Sequence, residues 1–116
     1  MSFRISGKNL DVGAALRDRI SGRIAEAMNR YFDGGYSGHL TLERDGSGFR
    51  SECAIHLDSK VTLHAEAITA DAYASADQAT TRIEKRLRRY HRRLKDHRTE
   101  RTDGRAAIEE IGRAHV

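Results

Sequence analysis

Apolar positions along the chain change period several times, and each change marks an element. Phe3 and Ile5 alternate with Arg4 and Ser6, which predicts a short strand ended by Gly7. From Ala14 the period lengthens, and Leu16, Ile20, Ile24, Ala27, Met28 and Tyr31 keep helical spacing. Gly13 is the expected N-cap, with Asp11 as the alternative. The helix should end near Phe32, because Asp33-Gly34-Gly35 is a breaker cluster. Leu40 and Leu42 then alternate with Thr41 and Glu43 in a second strand, followed by a turn at Asp45-Gly46-Ser47-Gly48. A third strand sets Ser51, Cys53, Ile55 and Leu57 on one face. Asp58-Ser59-Lys60 turns the chain into a fourth, bearing Val61, Leu63, Ala65 and Ala67. A last helix gathers Ala76, Ile83, Leu87, Tyr90 and Leu94 on one apolar face.

Parity fixes the hairpin registers. A three-residue loop at Asp58–Lys60 pairs Leu57 with Val61, Ile55 with Leu63 and Cys53 with Ala65. A four-residue loop at Asp45–Gly48 pairs Leu42 with Ser51 and Leu40 with Cys53. Both put core-facing residues opposite core-facing residues, as a half-buried sheet requires. The expected fold is α+β: a two-layer βαβββα sandwich, its four-stranded sheet covered on one face by both helices. Residues 1–98 form the expected domain. Residues 99–116 are polar and lack aromatics, so a disordered linker or truncated tail is expected there, with at most a brief helix around Ala107, Ile108 and Ile111. The segment Glu110–Val116 also resembles a translated sequencing-adapter fragment, in which case the native C-terminus is missing.

Charge sharpens the reading of the last helix. Between Arg82 and Arg98 nine cations face only Glu84 and Asp96, a formal +7, whereas the whole chain carries +4 and the remainder therefore −3. At roughly 100° per residue, Arg82, Arg86, Arg89 and Arg93 form a stripe beside the apolar face. Lys85, Arg88, Arg92 and Lys95 occupy the outer side. Most charge runs are simply solvated helix faces. Those, however, intersperse Glu with Lys at i,i+4, and this one mostly repels itself. Such a concentration calls for a polyanion, and phosphate backbones lead the candidates. Arg suits bidentate phosphate contacts better than Lys.

Other chemistry finds little support in the sequence. Cys53 is the only cysteine, so no intramolecular disulfide can form, as suits a reducing cytosol. No apolar signal segment opens the chain and no run is long enough to span a bilayer, so a soluble, cytoplasmic protein is expected. His56 and His64 should sit diagonally on the exposed sheet face, too few ligands for zinc. His91 and His97 are expected to extend the anion surface. Asp71 and Asp77 are expected to support the N-terminal end of the last helix. No phosphate loop, dinucleotide fingerprint or nucleophile elbow occurs. No catalytic residue, metal or cofactor is expected, and the chain does not read as an enzyme.

In that order of elements, specific segments resemble the ribosome hibernation-promoting factor family, also called ribosome-associated inhibitor A or sigma-54 modulation protein. They are Ile5-Ser6-Gly7-Lys8-Asn9, Ala15-Leu16-Arg17-Asp18-Arg19, Tyr31-Phe32-Asp33 and His64-Ala65-Glu66. Most specific is Asp71-Ala72-Tyr73-Ala74-Ser75-Ala76-Asp77, leading into Ile83-Glu84-Lys85-Arg86-Leu87 and Lys95-Asp96-His97. The resemblance covers about residues 2–98. It implies a bacterial stress protein that binds the 30S ribosomal subunit and contacts 16S rRNA near the decoding centre. There it would inhibit translation by occluding mRNA and tRNA. It carries the RNA-binding cations over to Arg82, Lys85, Arg86, Arg89, Arg92 and Arg93, and less specifically to Lys8. Tyr73 is expected to pack at the sheet–helix junction rather than to stack on a base. Long family members continue through a linker into a dimerisation domain, which is absent from this sequence. The alternatives are a generic double-stranded RNA-binding module and a protein-interaction modulator of a transcription factor.

Overall fold

The computed structural model describes residues 2–111, with side chains described for residues 2–95. The elements are β1 (Ser2–Lys8), α1 (Ala14–Tyr31), β2 (Tyr36–Asp45), β3 (Gly48–Leu57), β4 (Thr62–Thr69) and α2 (Ala72–Ile111). The sheet order is β1-β2-β3-β4, with β1 parallel to β2 and the remaining pairs antiparallel. This is the expected βαβββα sandwich. α2 lies across β3 and β4, and α1 packs beside it towards β1.

Both hairpin registers are those that parity requires: Leu40 opposite Cys53, Leu42 opposite Ser51, Ile55 opposite Leu63 and Cys53 opposite Ala65. One loop is shorter than expected. Asp45 and Gly48 pair with each other, so the β2–β3 connection is only Gly46-Ser47. Gly46 takes φ 64 in the first central position, which a tight II′-type hairpin demands and glycine supplies without steric strain. The β3–β4 loop ends with Lys60 at φ 75, the left-handed residue typical of three-residue hairpins.

The core joins Leu16, Ile20, Ile24 and Met28 of α1 to Ile5, Leu40, Leu42, Cys53 and Ile55 of the sheet and Ile83 and Leu87 of α2. Ser51 is buried among them because its hydroxyl meets that of Ser75 at 2.8 Å, each satisfying the other. Some positions expected on the buried faces fall short: Val61, Leu63 and Tyr90 are only half-buried, and Leu94 is 40% exposed. The packed face of α2 thus ends near Tyr90, whose hydroxyl reaches Ser59 Oγ at 2.8 Å, while the helix continues past residue 98 to Ile111. Residues 112–116 lie outside the described residues.

Burial pushes the Cys53 thiol up to about 12 from an ordinary 9.0, by penalising the thiolate. The neutral thiol is thereby favoured in the folded state. Its contribution to stability is whole below the unfolded pKa of about 8.5–9 and fades as pH rises towards the folded value. At mildly alkaline pH, maleimide should label Cys53 only as fast as the protein unfolds. Rapid labelling of the native protein would contradict its burial.

Candidate nucleic-acid interface

The interface begins with a sharp reversal between β4 and α2. Asp71 caps α2, its carboxylate accepting from the Ala74 N–H at 2.9 Å, while Thr69 Oγ1 donates to the Asp71 carbonyl and accepts from the Asp71 N–H. α2 therefore runs back antiparallel over β4. Asp77 does something else than expected. It leaves the helix end and accepts from Arg19 at 2.9 Å and Arg23 at 3.4 Å on α1. Arg23 also holds Glu84 at 2.7 Å, so one of the two carboxylates of the basic stretch is engaged by the neighbouring helix.

The cations of α2 fall on two flanks with different surroundings. Towards β4 an open groove is lined by Val61, Thr62, Leu63, His64, Arg86, Arg89, Tyr90 and Arg93. Among the described residues it contains no carboxylate. Towards α1 a second groove is lined by Arg23, Glu26, Arg30, Tyr31, Thr81, Glu84, Lys85 and Arg88 among others, so acids and bases alternate there. Arg82, Lys85, Arg86, Arg88, Arg89, Arg92, Arg93 and Lys95 are all exposed. Among the described residues none of these eight enters an ion pair. Arg82 alone is tied down, donating to the backbone carbonyl of Glu66 on β4.

Six of the seven sequence-derived site residues are thus brought together on one helix: Arg82, Lys85, Arg86, Arg89, Arg92 and Arg93. Lys8 is not. It ends β1 opposite Glu43, at the far edge of the sheet from β4 and at the end where α2 starts. His91 stays exposed, with its Nδ1 3.1 Å from the Tyr31 carbonyl and its ring 5.7 Å from that of Tyr31, so it also braces α2 against α1. His97 lies outside the described side chains. Tyr73 does not pack at the junction; it is 48% exposed and outside the core. Arg30 of α1, overlooked in the sequence, joins the second groove. Its signal was the seven-residue spacing from Arg23, which puts both on one helix face.

The open face of the sheet is different in character. Arg50 is surrounded by Glu66 at 2.9 Å, Glu52 at 3.8 Å and Glu43 at 4.0 Å, and hydrogen bonding to Glu66 raises its pKa. His64 meets Glu52 at 3.0 Å and His56 meets the Thr62 hydroxyl at 3.1 Å. Among the described residues no cluster of three or more His, Cys, Asp or Glu could hold a metal, and no helix is long and apolar enough to cross a membrane.

Residues 3–95 match the family model described as Sigma 54 modulation protein / S30EA ribosomal protein. The chain is 62% identical over 96 residues to a ribosome hibernation promotion factor of Bradyrhizobium diazoefficiens, covering 83% of this chain and 47% of that protein. It is 48% identical over 97 residues to one of Rhizobium meliloti, covering 84% and 51%. It therefore spans about half the length of these relatives. The Thermus thermophilus Protein Y N-terminal domain superposes with a TM-score of 0.68 at 30% identity, covering 78% of this chain and 99% of that domain.

Proposed function

The chain belongs to the Sigma 54 modulation protein / S30EA ribosomal protein family, and on that footing we propose that it is a ribosome hibernation domain acting in the cytoplasm. It binds the 30S subunit, contacts 16S rRNA near the decoding centre, and silences translation by filling the path of mRNA and the anticodon ends of tRNA. No covalent chemistry is involved. The observation that carries this reading is the row of eight exposed cations on α2 without an ion-pair partner among the described residues. An unpaired row of this kind is repelled by itself and is relieved where phosphates converge. It follows backbone shape rather than base edges, as suits folded rRNA.

Co-sedimentation with 30S subunits across a salt series tests the proposal. Binding should weaken steeply with salt, each phosphate contact adding about −0.7 to −0.9 to the slope of log affinity against log salt. Equal affinity for plain duplex RNA would point to a generic RNA binder. Binding that survives RNase would point to a protein partner.

Residues 1–98 are proposed as the whole ribosome-binding domain. The packed face of α2 ends near Tyr90, so deleting residues 99–116 should leave thermal stability and 30S affinity nearly unchanged. A tenfold loss of affinity on that deletion, about 1.4 kcal/mol, would move the domain boundary outward.

A further inference from the structure

The groove between β4 and α2 has a feature that a plain cationic wall lacks, namely an unpaired strand edge. β4 closes the sheet order and, among the described residues, has no strand on its outer side. In an antiparallel pair, alternate residues turn N–H and C=O towards the partner or away from it. The Leu57 N–H bonds the Val61 carbonyl, so the odd-numbered residues of this register face β3. Thr62, His64 and Glu66 therefore face outward, and the Glu66 carbonyl receives Arg82 from α2, as that parity requires. Because α2 runs antiparallel to β4, successive turns bring Arg86 alongside His64 and Arg89 and Arg93 alongside Thr62 and Val61.

We propose that this groove holds one strand of RNA, its phosphates on Arg86, Arg89 and Arg93 and its ribose 2′-hydroxyls on the outward backbone N–H and C=O groups of Thr62 and His64. The proposal rests on the reading of the site as an rRNA interface and adds which flank is used and what is recognised. Charge decides the flank: among the described residues the β4 groove has no carboxylate in its lining, whereas Glu26 and Glu84 line the α1 groove. Backbone chemistry decides the sugar. A strand edge offers alternating donors and acceptors, and a 2′-hydroxyl is both, so RNA satisfies the edge where DNA leaves it unmatched. Tyr90 is held by Ser59 and by Phe32, its ring 6.4 Å from that of Phe32, and serves as floor rather than as a stacking partner.

Fluorescence anisotropy of the full chain with a short oligouridylate, its deoxy counterpart and its 2′-O-methyl counterpart tests this. RNA should bind about tenfold more tightly than DNA, the gap expected of one or two modest hydrogen bonds. Methylation, which removes the donor, should close much of that gap. Thr62→Pro deletes one outward N–H without touching the β3 ladder, and should lower RNA affinity while leaving DNA affinity alone. Should that variant unfold, the three oligonucleotides on the parent protein still decide. Equal affinity for all three would overturn the proposal. So would displacement of the RNA by polyglutamate at equal charge, which would give the edge to an added acidic peptide strand. Measuring 30S binding by the same protein separates the two levels. Retained 30S binding with no sugar preference removes only the groove assignment, whereas absent 30S binding removes the ribosome reading itself.

Discussion

Alanine at both Arg86 and Arg89 should flatten the salt dependence of 30S binding by roughly 1 to 2 units of slope and weaken affinity at low salt. Both side chains are exposed, both lie off the packed face of α2, and neither has an ion-pair partner among the described residues, so folding should be spared. The informative control is Lys85→Ala with Arg88→Ala. It removes the same charge from the flank where Glu26 and Glu84 already dilute the field. A general attraction to the helix would make the two double variants equivalent. A strand seated against β4 makes the first much worse. Unchanged binding and slope in the Arg86/Arg89 variant would refute the basic wall altogether.

Ile83→Ala should be among the more damaging single changes to the fold. Ile83 is 1% exposed and packs where α2 meets the sheet, so truncation opens a cavity and costs about 2–5 kcal/mol. For a domain of this size that corresponds to a fall in Tm of about ten degrees or more. Leu94→Ala, on the same helix but 40% exposed, should stay within about 0.5 kcal/mol. Comparable losses from both would mean that the packed face of α2 extends beyond Tyr90.

The contrast between these two aliphatic positions shows what the sequence could and could not convey. Ile83 and Leu94 share a helical stripe, and periodicity alone treats them alike. Only the length of the sheet beneath, which ends at the Asp58–Lys60 turn held by Ser59 and Tyr90, decides that one is covered and the other not. Hairpin register was legible because parity is arithmetic: a two-residue and a four-residue β2–β3 loop give the same pairing, so even the misjudged loop length did no harm. The cationic stripe was legible for the same reason. Its environment was not. The pairing of Arg23 with Asp77 and Glu84, the contact of His91 with the Tyr31 carbonyl, and the isolation of Lys8 at the opposite sheet edge all depend on how distant segments meet. Local spacing carries no information on any of these.

Arg82 on the Glu66 carbonyl has a consequence for handling the protein as well as for its chemistry. An exposed strand with free backbone groups is a template on which a second copy can add, and such edges seed aggregates unless something blunts them. Here the blunting is done by arginine: one guanidinium caps a carbonyl, and three more stand along the remaining edge with like charge that repels another copy. The residues proposed for binding should thereby also limit self-association. Variants stripped of Arg86, Arg89 and Arg93 should be more prone to self-association, most of all in high salt where the remaining repulsion is screened. The loss of ribosome binding expected of them is best measured at low protein concentration, with light scattering recorded beside it.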